Sequence, residues 1–317
     1  MKMDPIEKMQ IGKTDLYVTR LGLGGLSLGY VPEDQATATI QKTFELGINF
    51  IDTAPLYGLG KSELDIGHVV AGRKRESFVI STKVGRLLRS TSQRGWEFDF
   101  SHNGLQLSLE SSLSRLGLDR VDILFIHDPD DYYYQALTET FPALAELRSQ
   151  GIVKAIGVGM NRWQMELRFA KEADPDCFLL AGGRYTLLEQ DPLTEFLPFC
   201  LKKGISVIVG TPFGGREGIL ASNLQEGAKH NHREPNPEIL TKAIQIKMAC
   251  DRHRVPLKAA ALQFVLAHPA VSAVIPGSGS PSHIEENFRM VQYPIPQALW
   301  KELRDKGLIP VEAPTPN

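Results

Sequence analysis

The chain has 317 residues, 42% of them hydrophobic and 23% charged, proportions that exclude a disordered tract or a small disulfide-stapled scaffold. Its 35 Lys and Arg against 37 Asp and Glu give a formal net charge of −2; the signs are interspersed, so no basic stripe tracks a phosphate backbone and nucleic acid is not an expected partner. Three widely spaced cysteines, Cys177, Cys200 and Cys250, read as buried small hydrophobes in a reducing compartment, with neither a disulfide framework nor a metal site. The opening MKMDPIEKMQIG lacks the apolar core of a secretory signal, and no run approaches the ~18 apolar residues of a membrane span. The expectation is a cytoplasmic protein with no membrane partner.

Residues 9–18 alternate about a Gly-Lys-Thr-Asp turn and predict a short hairpin. A strand-then-helix rhythm follows. Apolar runs of strand length occur at 21–24, 49–53, 78–83, 121–127, 153–158, 177–181, 205–209 and 273–275, and helical periodicity marks 33–46, 62–70, 104–116, 138–149, 163–171, 192–203 and 237–253. Several strands are apolar at consecutive positions, as expected where both faces of a parallel sheet are buried. Eight such units predict a (β/α)8 TIM barrel with an N-terminal β-hairpin closing its bottom, one domain over 1–317. The rival is a doubly wound open sheet, but LGLGGLSLG at 21–29 is a loose match to a GxGxxG turn and reads equally as a tight βα turn. Segments 87–102 and 211–236 are longer than ordinary βα loops and mark the functional face. A short helix near 298–306 precedes a proline-rich tail.

The chemistry lies in how the apolar strands end. NFIDT carries Asp52, FVISTK ends in Lys83 and DILFIH ends in His127, so three consecutive strands bring ionisable groups to one mouth of a closed barrel. Tyr57 follows five residues after Asp52. A phenol with an ordinary pKa near ~10 needs a cation to act as acid or base at neutral pH. Lys83 supplies that cation, Asp52 holds Lys83 protonated and aimed, and His127 either hydrogen-bonds a substrate oxygen or passes a proton. Each residue alone has the bland reading of an exposed or capped strand end; the set of four at equivalent strand ends favours catalysis.

Asp52, Tyr57, Lys83 and His127, within DTAPLYGLGKSE, STKVG and ILFIHDPD, stand as the tetrad does in the aldo-keto reductase superfamily, which the chain resembles from about residue 22 to 287. The resemblance implies a barrel that binds NAD or NADP at the strand C-termini without a Rossmann domain. It also implies hydride transfer between the cofactor and a carbonyl or alcohol carbon, with Tyr57 as proton donor or acceptor. The stretches from WEFDFSHNG to IHDPD, FPALAELRSQGIVKAIGVGMN and RYTLLEQ resemble the branch of aldose and L-fucose dehydrogenases, with pyridoxal dehydrogenases similar. A small-molecule substrate is thus implied, a sugar or an aldehyde: oxidation of a free aldose to its lactone, with pyridoxal oxidation or general carbonyl reduction as alternatives. A non-catalytic cofactor sensor is the reading from another class. The oligomeric state stays open.

By the same resemblance the cofactor residues are Gly25, Leu26, Asp52, Asn161, Thr211, Phe213, Gly214, Ile275, Gly277, Ser278, Gly279, His283, Glu286 and Asn287. Gly277 and His283 stand where many relatives carry a lysine and an arginine for the 2′-phosphate of NADP. Losing two permanent cations implies that NAD competes well, unless Arg289 or Arg216 restores the charge. Glu286 suits an adenine amino group or simply faces solvent. Gly182 occupies the place of a frequent amide side chain, and Phe213 substitutes for a ring-stacking aromatic near Gly210. The glycines of GTPFGGREGIL either approach a pyrophosphate or give the loop flexibility. Beside Tyr57 and His127, the substrate residues are Trp96 and Tyr132, although Tyr132, Tyr133 and Tyr134 read equally as packing. Met160 and Met165 read as filler.

Overall fold

The computed structural model describes residues 3–182, 184–215, 218–222, 224, 227–231 and 233–316. The predicted N-terminal hairpin is present: β1 (Lys8–Gln10) and β2 (Tyr17–Thr19) pair antiparallel, Met9 opposite Val18. The strands that follow are β3 (Leu23–Gly24), β4 (Phe50–Asp52), β5 (Val79–Val84), β6 (Arg86–Leu88), β7 (Trp96–Phe98), β8 (Ile123–His127), β9 (Ala155–Met160), β10 (Cys177–Leu180), β11 (Ser206–Gly210) and β12 (Val271–Ile275). Eight of them form one parallel sheet, β12-β11-β10-β9-β8-β5-β4-β3. Bridges from Leu21 to Val274 and from Gly24 to Gly277 join its two ends into a barrel.

Alternation along each strand assigns every residue a side of the wall. Phe50, Val79, Ile123, Phe125, Ile208 and Ala273 share an inner cluster with Ile11, Leu16 and Val18 of the hairpin. Ile51, Ile80, Leu124, Ile126, Val209 and Val274 join the outer cluster beneath the helices. The Gly12 N–H donates to Ser206 Oγ at 2.8 Å, and Ser272 Oγ donates to the same oxygen at 2.8 Å. These serines lie at the N-terminal ends of β11 and β12, so the hairpin plugs the bottom and leaves only the C-terminal end open. Counting on from Phe50, Val79 and Phe125 in steps of two turns Asp52, Lys83 and His127 inward at that open end.

The helices are α1 (Glu33–Glu45), α2 (Lys61–Val70), α3 (His102–Leu116), a broken segment of α4 (Tyr133–Gln135), a π turn (Ala136–Thr140) and α5 (Phe141–Ser149), then α6 (Trp163–Glu172), α7 (Phe196–Lys203), α8 (Pro237–Arg252), α9 (Leu257–Leu266), α10 (Pro281–Val291) and α11 (Gln297–Asp305). Ser101, Asn236 and Ser280 cap α3, α8 and α10 by accepting from the Gly104, Ile239 and His283 N–H groups. Two helices go beyond the predicted set. α9 is buried at every residue but Lys258, so it has no polar face to reveal a 3.6-residue period. α10 packs between α1 and α9. The long third βα connection holds the β6–β7 ribbon, Arg86 opposite Phe98 and Leu88 opposite Trp96. No described helix is long and apolar enough to cross a membrane, and all three cysteines are buried and free.

On the outer face of β5, Thr82 Oγ1 donates to Glu63 Oε1 of α2 at 2.6 Å, and Arg115 Nε of α3 donates to Glu63 Oε2 at 2.7 Å. Glu63 is wholly buried. This joint fixes two helices to the strand whose inner face carries Lys83. Replacing Glu63 with Ala strands Arg115 and should cost about 3 kcal/mol in urea unfolding; a loss below about 0.5 kcal/mol would show that the joint does not hold the wall.

Candidate active site

Lys83 Nζ lies 2.8 and 2.7 Å from the two Asp52 oxygens and donates a third bond to Thr53 O at 2.8 Å. Ser81 Oγ donates to Asp52 Oδ1 at 2.7 Å. Every ammonium proton therefore has an acceptor, which a buried cation requires. Burial pushes the Lys83 pKa down, but Asp52 and Tyr57 outweigh it and the pKa ends above the ordinary 10.5. Lys83 is a fixed cation. Its Nζ stands 4.8 Å from the Tyr57 ring centroid, and the His127 ring meets Tyr57 edge-on at 6.2 Å.

Burial raises the Tyr57 phenol above 10; the Lys83 charge lowers it and Asp52 raises it again. Asp52, needed to anchor the cation, dilutes its effect on the phenol, and desolvation prevails. His127 is held well below 6.5, first by burial and then by the Lys83 and Arg86 charges. Its Nδ1 is buried without an acceptor, so the one proton of the neutral ring belongs on Nε2. Asp128 Oδ2 lies 3.6 Å from that Nε2. It accepts from Arg86 at 2.6 Å, while Oδ1 accepts from Asn161 Nδ2 at 3.1 Å.

A cavity of about 590 Å3 opens over this group. Its wall includes Leu26, Leu56, Tyr57, Lys83, His127, Asp128, Asn161, Leu179, Ala181, Gly182, Arg184, Thr211, Asn231 and Arg233. A narrower cleft of about 90 Å3 shares Leu26, Tyr57 and Thr211 and continues past Gly24, Ser27, Asp52, Gly210, Phe213, Gly215, Ile275 and Gly277. Gly182 has φ +64°, and a Cβ there would lie 2.7 Å from Asn161 Oδ1; a side chain at this place would be strained and would displace the Asn161 amide. Asn231 Nδ2 donates to Glu189 Oε2 at 3.2 Å, and the Asn231 N–H donates to Gly214 O at 2.7 Å, which pins the long seventh connection over the mouth.

A profile of the aldo/keto reductase family matches residues 20–307. The chain belongs to the aldo/keto reductase family. It is 36% identical to pyridoxal 4-dehydrogenase of Microbacterium luteolum, over 98% of this chain and 100% of the relative. It is also 36% identical to D-threo-aldose 1-dehydrogenase of a Pseudomonas species, over 93% and 96%. Among solved structures, the holo form of an aldo-keto reductase from Bacillus halodurans superposes with a TM-score of 0.81 at 26% identity, over 95% of this chain and 96% of that one. The protein is thus an oxidoreductase of a family that uses nicotinamide dinucleotides on CH–OH and carbonyl groups.

Set on this aldo/keto reductase barrel, the other sequence-assigned residues divide. Leu26, Asn161, Thr211, Phe213, Ile275 and Gly277 line the two cavities. Gly25 lies just behind, its carbonyl accepting from Ser62 Oγ at 2.9 Å. Ser278 and Asn287 are buried and bonded to each other at 3.2 Å; Gly279 O accepts from Gln35, and His283 is exposed at the start of α10. Gly214 is not in the wall; Gly215 is. Glu286, its side chain 40% exposed, accepts from Lys258 of the unpredicted α9 through Oε2. Arg289 is exposed, and Arg216 lies outside the described residues. Trp96 and Tyr132 are likewise absent from the wall. Trp96 packs against Arg86, 4.7 Å from its guanidinium, and Tyr132 packs at a tilt against Phe98 and Phe100, ring centroids 5.0 and 5.2 Å apart. Tyr133 and Tyr134 pack on Arg168, at 4.2 and 5.2 Å. Arg86, Asp128, Arg184, Asn231 and Arg233 went unassigned; Asp128 alone carried a signal, as the residue after His127.

The His127 imidazole should remain neutral well below pH 6.5, seen as a single protonated nitrogen at Nε2 in 15N spectra. The unfolded chain takes up a proton there and the folded chain does not. This group therefore destabilises the fold as pH falls below 6.5. An imidazolium signal at pH 6 would contradict the assignment.

Proposed function

We propose that the protein oxidises a free aldose, L-fucose or a stereochemically related sugar, at its anomeric carbon to the lactone, using NAD at least as well as NADP. The observation that carries this reading is the Asp52–Lys83–Tyr57–His127 group at the meeting of the two cavities, the wider of which sets Asp128, Asn161, Arg184, Asn231 and Arg233 in a largely apolar wall. The 36% identical aldose dehydrogenase supports the sugar. The equally similar pyridoxal dehydrogenase makes pyridoxal oxidation the second reading.

The residues suit a dinucleotide. The cleft is narrow where Gly277 faces Ser27, a Cβ there falling 2.9 Å from Ser27 Oγ, and Asn287 Oδ1 is a buried acceptor without a partner. Leu26, Asn161, Thr211, Phe213, Ile275, Gly277 and Ser278 would hold the cofactor, whose nicotinamide takes or gives the hydride. In oxidation Tyr57 first loses its proton to solvent, and the phenolate, stabilised by Lys83, takes the proton of the reacting hydroxyl; in reduction the phenol gives its proton to the oxygen of the forming alcohol and is left as that phenolate. His127 donates from Nε2 to the same oxygen and fixes its place. At Gly277 and His283 the chain offers no permanent cation to a 2′-phosphate, and Lys258 is occupied by Glu286.

Recording NADH formation over a panel of aldoses and pyridoxal tests the substrate; turnover of pyridoxal alone would replace the sugar reading. Tyr57→Phe should abolish turnover and leave dinucleotide binding nearly unchanged. Lys83→Met should be comparably damaging and move any residual activity to higher pH, because removing a cation raises the phenol pKa. Full activity in Tyr57→Phe would eliminate these roles.

Joint Gly277→Lys and His283→Arg changes should shift preference towards NADP by about tenfold or more, after Ser27 Oγ turns aside. Fluorescence titration of both cofactors measures this; a wild type that strongly prefers NADP would sink the charge argument.

A further inference from the structure

We infer that Asp128 is a specificity-determining residue: its carboxylate accepts a hydrogen bond from a hydroxyl on the carbon next to the reacting one. This rests on the proposed roles of Tyr57 and His127 and names the substrate class their cavity takes, a carbonyl or alcohol flanked by hydroxyls.

Four observations carry it. Asp128 lines the same cavity as Tyr57 and His127. Its Oδ2 is 3.6 Å from His127 Nε2, so a donor for the reacting oxygen and an acceptor stand side by side. Vicinal oxygens of a polyol are themselves about a hydrogen-bond length apart, and one such pair can engage both groups at once. A carboxylate has about four lone-pair sites; Arg86 takes one on Oδ2 and Asn161 one on Oδ1, which leaves capacity facing the cavity. Asp52, the other carboxylate at these cavities, is spent on Lys83 and Ser81.

The surroundings hold the group in place. Arg86 is stacked 4.7 Å from the Trp96 ring and 5.0 Å from Phe98, so the β6–β7 ribbon fixes the guanidinium that fixes Asp128. The backbone of Asp128 is left-handed, φ +45°, and its N–H donates to Gly159 O at 2.9 Å. Asp and Asn tolerate that conformation better than most residues. Trp96, although not in the cavity wall, thereby bears on the substrate through Arg86.

The test compares two small aldehydes of equal carbon number, glyceraldehyde and propanal, reduced by the wild type and by Asp128→Asn. The amide keeps the shape and the backbone conformation but removes the charge, so dinucleotide titration should report a folded protein. The wild type should favour glyceraldehyde, and the ratio of the two kcat/KM values should fall about tenfold in the variant. Aldehyde hydration cancels in the comparison between proteins. If both substrates lose equally, Asp128 acts only by holding the loop and the inference is overturned; a wild type without preference overturns it as well. If no aldose is oxidised but the ratio falls as expected, the aldose reading fails and the role of Asp128 stands. A wild type inert towards both aldehydes overturns the two together.

Discussion

The buried contact between Lys83 and Asp52 is the constraint on which the site depends. Taking an ammonium and a carboxylate out of water costs several kcal/mol for each ion, and their mutual attraction offsets this only where every remaining proton and lone pair is satisfied. Thr53 O and Ser81 Oγ meet that condition here. Both come from the wall itself, one beyond β4 and the other two residues before Lys83. The pair is therefore a product of strand register, in which Asp52 lies opposite Ser81. A slip of one residue would turn Asp52 and Lys83 outward, into the helices.

What surrounds the pair sets its chemistry. Lys83 faces Tyr57 as a permanent charge, yet burial keeps the phenol above 10, so the group is protonated at neutral pH before any reaction. The same burial, with Lys83 and Arg86 nearby, keeps His127 neutral and its single proton directed at the cavity. One buried cation thus gives two neighbours different tasks: a phenol that can exchange its proton, and an imidazole that can only donate a hydrogen bond.

Two connections are anchored by side-chain bonds at the mouth of the barrel. The third connection is an ordered ribbon that carries Arg86 to Asp128, and the seventh is tied down through Asn231 to Glu189 and Gly214. Lys258 reaches from α9 to neutralise Glu286 and lies 5.7 Å from the Phe213 ring. Phe213 in turn lines the narrow cleft beside Tyr57. A helix with no polar face thereby spends its one exposed-type side chain at the edge of that cleft.

The sequence by itself determined the barrel, because eight apolar runs separated by amphipathic segments have few ways to bury both faces of every strand. It also exposed Asp52, Lys83 and His127, since an ionisable residue at the end of an apolar strand breaks the local pattern. It was silent where the local pattern carries no such break. α9 is apolar apart from Lys258 and Gln263, and the ribbon strands are only three residues each. Tertiary structure alone decided which groups meet across long separations: Lys258 with Glu286, Arg86 with Asp128, and Trp96 with Arg86. Those contacts depend on loop paths and side-chain reach, and neither a periodicity nor a strand end encodes them.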